Sequence, residues 1–297
     1  MTTIAHPFTI SGIGLHSGMP ISVTVAPAES GKGRYFVCGE HQLAAQARAV
    51  VASQLSTELR TSAMAVRTVE HLLSALFASG VEDACITFTP EAAIRENLGN
   101  QPIQVEVPIL DGSALPWVQA IQEVGLSSGV NGINVPPDHA APRLVDLPEP
   151  ITVQQGDSFV TAIPAPQLRL TYGIDFPGSI IGEQWFSWSP KITEFAAAFA
   201  QDIAPARTFT LAQYIEPMRA QGLIKGGSLD NAIVCDGMKW VTPDLRFDNE
   251  PCRHKLLDLI GDLSLLGFLP KAHILAYKAS HHLHTEFAQR LLASVGP

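Results

Sequence analysis

RFDNEPCRHKLLDLIGDLSLL, residues 246–266, reads as a loop feeding a helix, with Leu256, Leu257, Ile260, Leu263 and Leu266 recurring at helical spacing along one side. Into the same helix the chain sets His254, Asp258 and Asp262 at intervals of four. Residues four apart stand one above another, so an imidazole and two carboxylates share one stripe while the leucines take the other. Such spacing also serves surface hydrogen-bonded pairs. Asp262 argues against that reading, because it lies in LIGDLSLLG (259–267), so apolar that a carboxylate there needs a partner to offset its desolvation. The stripe is expected to face a site, with two metal ligands supplied by one helix.

After this helix, HILAYKA (273–279) reads as a strand and the chain ends in a helix from about His284 to Leu292. Before it, ARTFTLAQYIEPMRAQGLIKGGSLDNAIVC (206–235) reads as a short strand, an amphipathic helix, a Gly turn and another strand. Two strand segments, ITVQQGDSFVTAIPA (151–165) and LRLTYGIDF (168–176), and a helix near ITEFAAAFAQDIA (192–204) complete the second half. The first half opens with alternating strands around GIGLHSG (12–18), whose His16 we rank as lining of a site. Its clearest helix is TVEHLLSALFASG (68–80), with Thr68 as N-cap, Leu72, Leu73 and Leu76 on the apolar face, Gly80 as stop, and Glu70 and His71 in the first turn. PEAAIRENLGNQP (90–102) is polar and turn-rich, a surface excursion. Residues 127–150 are rich in Pro, Gly and Asn and read as a linker, which separates a first domain at 1–126 from a second at 151–297. Strands alternate with a few helices in both halves, an α+β pattern.

A chain of 297 residues with 46% apolar and 16% charged residues is globular and long enough for two domains. A net charge of −9 argues against a broad nucleic-acid surface, so any anionic substrate must be met by a local cluster of Lys and Arg. The four cysteines form no CxxC pair and suit a reducing compartment. No signal-peptide pattern opens the chain and no run approaches a membrane span, so the protein is expected in the cytoplasm.

His71 from the first half joined to His254 and Asp258 from the second makes two imidazoles and a carboxylate, a common ligand set for a catalytic zinc. Glu70, next to a ligand, could take the proton of a water as general base. Beyond the last strand, KASHHLH (278–284) offers an imidazolium for an oxyanion or a leaving amine, with Asp262 as its orienting partner; the residues alone do not choose between His281 and His282.

TVEHLLSAL (68–76), VPILDGSA (107–114), ARTF (206–209), KGGSLDNAIV (225–234), RFDNEPCRHKLLDLIGDL (246–263) and AYKASHHL (276–283), in this order and with GIGLHSG before them, closely resemble the zinc-dependent UDP-3-O-acyl-N-acetylglucosamine deacetylases of lipid A biosynthesis. The resemblance spans almost the whole chain. It implies two similar α+β domains, each a layered helix/sheet sandwich, with the active site in the cleft between them. The implied reaction removes the N-acetyl group of UDP-3-O-(hydroxyacyl)-N-acetylglucosamine, releasing acetate and the free 2-amine. It implies one zinc per chain, with Fe2+ as an alternative occupant in the cell, held by His71, His254 and Asp258. Glu70 would be the base, His281 the cationic acid with Asp262 behind it, and Thr208 a donor to the oxyanion. Lys255 would meet a phosphate or sugar oxygen, Phe209 would pack near the nucleotide or sugar, and an insert at about 209–234 would line an acyl passage with Leu211, Ile215, Met218, Leu223 and Ile224. The partner is thus a small acylated UDP-sugar, met by a monomer without an integral membrane segment. Three positions depart from the family pattern: Ser280 replaces a Gly, His282 an Ala and His284 an Asn. A related deacetylase acting on another acylated nucleotide sugar, and a non-catalytic binder with structural zinc, are the alternatives; Glu70 argues against the second.

Overall fold

The computed structural model describes residues 1–51, 54–90, 102–128, 133–135, 141–242 and 244–295. Most of the expected surface excursion at 90–102 and part of the expected linker lie outside the described residues. The described α-helices are α1 (Glu70–Ala78), α2 (Leu115–Val124), α3 (Phe195–Asp202), α4 (Ala212–Ala220), α5 (Glu250–Leu263) and α6 (His281–Val295). No helix among the described residues is long and apolar enough to cross a membrane.

Two five-strand runs share one pairing plan. In the first half the order is Phe8–Ile13, Pro20–Ala26, Ala84–Pro90, Arg34–Cys38, His41–Ala44, and in the second it is Ile151–Gln155, Ser158–Pro164, Leu269–Tyr277, Arg169–Phe176, Gly182–Trp188. Each run holds two antiparallel pairs, and the latest strand in sequence enters between them, antiparallel to one neighbour and parallel to the other. Period-2 alternation selects the faces. Ile21, Val23 and Val25 are buried, whereas Ser22 and Thr24 between them pair hydroxyls with Ser11 and Thr9 at 2.8 Å on the outer face. Thr152 and Thr161 repeat the device in the second half at 2.7 Å.

Helices α1 and α2 pack together in the first half, α5 and α6 cover the second sheet, and α1 packs against α5. All nine residues of α1 are buried, as are all of α5 except Arg253 and Lys255. The polar stripe of α5, expected to face a site, is buried against partners, and neighbours surround the rest of the helix as well. Thr68 does not cap α1. Val69 holds the cap position, while Thr68 takes φ 59° and donates its hydroxyl to Glu106 at 2.9 Å. The last helix begins at His281, earlier than expected, and its first turn is closed by the hydrogen bond from the His284 amide to the Ser280 backbone carbonyl at 2.9 Å.

Candidate active site

The crossing of α1 and α5 brings the sequence candidates together. A Cβ on Gly261 would collide with the carbonyl oxygen of Glu70, so the two helices approach to backbone contact at that turn. Gly261→Ala is expected to force them apart, lowering stability by about 1–3 kcal/mol in denaturant unfolding and reducing turnover with it.

His71 Nε2 stands 3.8 Å and His254 Nε2 3.4 Å from Asp258 Oδ1. One donor atom of each residue lies within 4.8 Å of the others, and all three side chains are buried. His254 is oriented from behind by Nδ1, which donates to the Ala206 carbonyl at 3.0 Å. Asp258 Oδ2 receives Lys255 Nζ at 2.7 Å, whereas buried Oδ1 has no hydrogen-bond partner among the described residues. Burial, reinforced by His254, pushes the pKa of His71 down to about 3, and burial also lowers that of His254. Burial works to raise Asp258, but Lys255, His254, His281 and His71 prevail and hold its carboxyl far below the ordinary range. Two neutral imidazoles and an ionised carboxylate, one of its oxygens free, are the donor forms a divalent cation requires. The three residues fit a metal ion.

Beside them, Glu70 accepts the Thr57 amide at 3.1 Å, and its Oε1 lies 3.9 Å from His281 Nε2. Burial pushes the Glu70 pKa up to about 7 against the pull of His281. His281 donates through Nδ1 to Asp262 Oδ2 at 2.9 Å, leaving Nε2 toward Glu70 and Asp258 Oδ2, the latter at 3.7 Å. Burial opposes its charge, yet Asp262, Asp258 and Glu70 together lift its pKa to about 9. His282 is exposed, so only His281 joins this cluster. Asp262, wholly buried, finds the partners its apolar setting demands: His281, His284 and the Thr57 hydroxyl. Asp262, His281 and His284 could also be grouped as cation ligands, but the ring nitrogens are already hydrogen-bonded to the carboxylate. Thr57 and Tyr172 carried no signal in the chain, their partners lying 205 and 112 residues away, and His284, noted only as a departure from the family pattern, gave no sign of its bond to Asp262.

The remaining motifs form the frame. Glu250, fully buried at the start of α5, accepts the Arg207 amide and guanidinium and the Arg246 amide. Arg246 reaches Asp111 Oδ2 at 2.8 Å and the Pro205 carbonyl at 2.7 Å. Gly112, at φ 87°, leaves no room for a Cβ beside the Asn231 carbonyl, and its own carbonyl accepts the Thr208 amide at 2.8 Å. The Thr208 hydroxyl makes no hydrogen bond among the described residues and lines the cavity that also holds Glu70, His71, His254, Asp258 and His281.

That cavity, about 1080 Å³, extends past Phe209 and Lys255 to Leu211, Ile215, Met218, Leu223 and Ile224. No residue of α4 is buried, so its Ile215 and Met218 wall the cavity and are not core, whereas Leu211 also packs against the core. Phe209 packs edge-on to Phe176 at 5.4 Å and to His254 at 6.5 Å. His16 also lines it; burial lowers its pKa to about 4. Ser280 takes no left-handed conformation. In that turn it is Lys278 that has φ 50°, so a Gly at 280 is not required here.

Residues 1–293 match the family model LpxC, UDP-3-O-acyl N-acetylglycosamine deacetylase. The chain is 50% identical over 295 residues to a UDP-3-O-acyl-N-acetylglucosamine deacetylase of Trichormus variabilis, with 98% of both chains covered. It is 47% identical over 293 residues to that of Thermosynechococcus vestitus, covering 97% of this chain and 93% of the relative. An Arabidopsis thaliana relative, probable UDP-3-O-acyl-N-acetylglucosamine deacetylase 1, mitochondrial, is 46% identical over 296 residues, covering 97% and 87%.

Proposed function

The chain belongs to the UDP-3-O-acyl-N-acetylglucosamine deacetylase family, and from that membership we propose how its residues divide the removal of an acetyl group. The reaction is hydrolysis of the N-acetyl amide of UDP-3-O-(hydroxyacyl)-N-acetylglucosamine to acetate and the free 2-amine, a step of lipid A biosynthesis. The observation that supports the assignment best is the convergence of His71, His254 and Asp258 beside Glu70 and His281 on one cavity.

His71, His254 and Asp258 would hold one zinc, with Fe2+ as the other occupant that such a nitrogen and oxygen set accepts. When bound, the ion supplies Lewis acidity, polarising the acetamide carbonyl and bringing the pKa of a water toward about 7. Glu70 takes a proton from the attacking water as its oxygen bonds to the carbonyl carbon. The Thr208 hydroxyl donates to the developing oxyanion, a role suited to a hydroxyl not spent on the protein. His281 delivers a proton from Nε2 to the amine as the C–N bond breaks, and Asp262 holds the ring by Nδ1. Thr208→Val is expected to lower kcat on the order of 10²–10³-fold with metal content unchanged, as read by steady-state kinetics and metal analysis.

Lys255 and Phe209 serve as contacts for the phosphate or sugar and the nucleotide or sugar. Lys255 would exchange part of its interaction with Asp258 for the substrate, and segment 209–234 would take the acyl chain. We read the two sheets with their helices as two similar domains closing one cleft, in a monomer working in the cytoplasm; four cysteines with no CxxC pair suit that compartment. The deciding assay incubates zinc-reconstituted protein with UDP-3-O-(hydroxyacyl)-N-acetylglucosamine and measures acetate with and without a chelator. Chelator-sensitive acetate release is expected, and binding without release would sink the assignment.

A further inference from the structure

We propose that His284 is a positioning residue that fixes the Asp262 carboxylate from the core side and, through it, the ring of His281. The inference rests on the reading of His281 as the acid. Asp262 Oδ2 is shared by the Nδ1 atoms of His281 and His284, each at 2.9 Å, and Oδ1 accepts the Thr57 hydroxyl. A carboxylate can only accept, so each ring directs an N–H at it.

His284 is wholly buried, and its other nitrogen is engaged as well. Nε2 lies 2.9 Å from the hydroxyl of Tyr172, also wholly buried, which stands 2.7 Å from the Ala279 carbonyl. The phenol has one proton to give. If it goes to the carbonyl, Nε2 must donate to the phenol oxygen and both nitrogens of His284 carry hydrogen. If it turns to Nε2, the ring is neutral, the form burial favours. Both arrangements leave the Nδ1 proton on the bond to Asp262, so the positioning role does not depend on the charge of the ring.

The result is a rail from the second sheet to the cavity. Tyr172, in the strand Arg169–Phe176, holds His284; His284 holds Asp262 on α5; Asp262 holds His281, one turn from His284 on α6. The two rings meet nearly edge-on, centroids 5.9 Å apart at 73°. A donor-free side chain at 284 would leave the carboxylate anchored on the protein side by Thr57 alone, with His281 as its other partner, and the aim of His281 would loosen.

The test compares zinc-loaded, full-length wild type with His284→Leu, His284→Asn and His281→Ala, measuring kcat, KM, zinc content and melting temperature. The Asn amide places an N–H near the position of Nδ1–H, whereas Leu fills more of the space without a donor. His284→Leu is expected to lose 10- to 100-fold in kcat, roughly the cost of removing a supporting hydrogen bond, with KM and zinc unchanged, and Asn is expected to recover most of it. Packing alone predicts Leu at least as active as Asn, and that order, or wild-type kcat in Leu, overturns the proposal. If His281→Ala kept full turnover, the acid reading itself would fail; an inactive His281→Ala beside a fully active His284→Leu removes only the positioning role. Should the Leu variant not fold, 15N spectra of the histidine rings in the wild type decide: Nδ1 of His284 is expected protonated, and a bare Nδ1 overturns the inference.

Discussion

Glu70→Gln is expected to keep zinc at the wild-type stoichiometry while kcat falls on the order of 10²–10⁴-fold, the range a positioned proton-transfer group supplies. The substitution is nearly isosteric, and its amide oxygen can still accept the Thr57 amide that Glu70 accepts at 3.1 Å. It therefore leaves the start of α1, and with it His71, where it was. What disappears is the ability to take a proton and the negative charge facing His281 Nε2 across 3.9 Å. Because the base acts as the water attacks, the loss belongs in kcat, with KM little changed. Wild-type turnover in this variant, with zinc bound, would remove Glu70 from the role. Loss of zinc would instead identify it as a ligand or as the support of one.

Asp258→Ala is expected to lose the metal and, with stoichiometric zinc supplied, measurable turnover. Partners behind a ligand typically cost 10–100-fold in metal affinity, so loss of a ligand should exceed roughly that range. Asp258 is also the one carboxylate between the two imidazoles, with Oδ1 turned to both. The thermal readout is independent of activity. Zinc binds the folded chain, so a chelator is expected to lower the melting temperature of the wild type and leave that of Asp258→Ala unmoved. Equal chelator sensitivity in both proteins would place the ion elsewhere. Some destabilisation accompanies the substitution in any case, since Lys255 loses the partner it holds at 2.7 Å.

The metal candidates were legible because helical periodicity is local: His254 and Asp258 needed only the rule that residues four apart share a face. Asp262 was legible for a different reason, the cost of leaving a carboxylate without a partner in LIGDLSLLG. What the chain concealed was set at long range. Thr57 bonds Asp262 across 205 positions, and nothing around Thr57 marks it. The burial of α5 on nearly all sides was hidden because its polar residues find partners mostly outside the helix: Glu250 in Arg207 and Arg246, His254 in the Ala206 carbonyl, and Asp262 in Thr57, His281 and His284. Thr68 has the composition of a cap, but Glu106 claims its hydroxyl and draws the backbone into a conformation seldom adopted by a β-branched residue. The start of α6 was missed by three residues because histidines give little helix signal.

The shared pairing plan of the two sheets sets an order of events during synthesis. In the first half the inserted strand, Ala84–Pro90, is made soon after its neighbours, so that sheet can close with about a third of the chain translated. In the second, Ser158–Pro164 and Arg169–Phe176 must wait for Leu269–Tyr277. Until then they present unpaired edges while the whole of α5 is being made, a stretch open to wrong pairing. The strand that ends the wait runs, within a few residues, into His281. A nascent chain therefore acquires its final sheet and the side chain proposed as its acid almost together, and a ribosome that stops before residue 269 yields a chain that has neither.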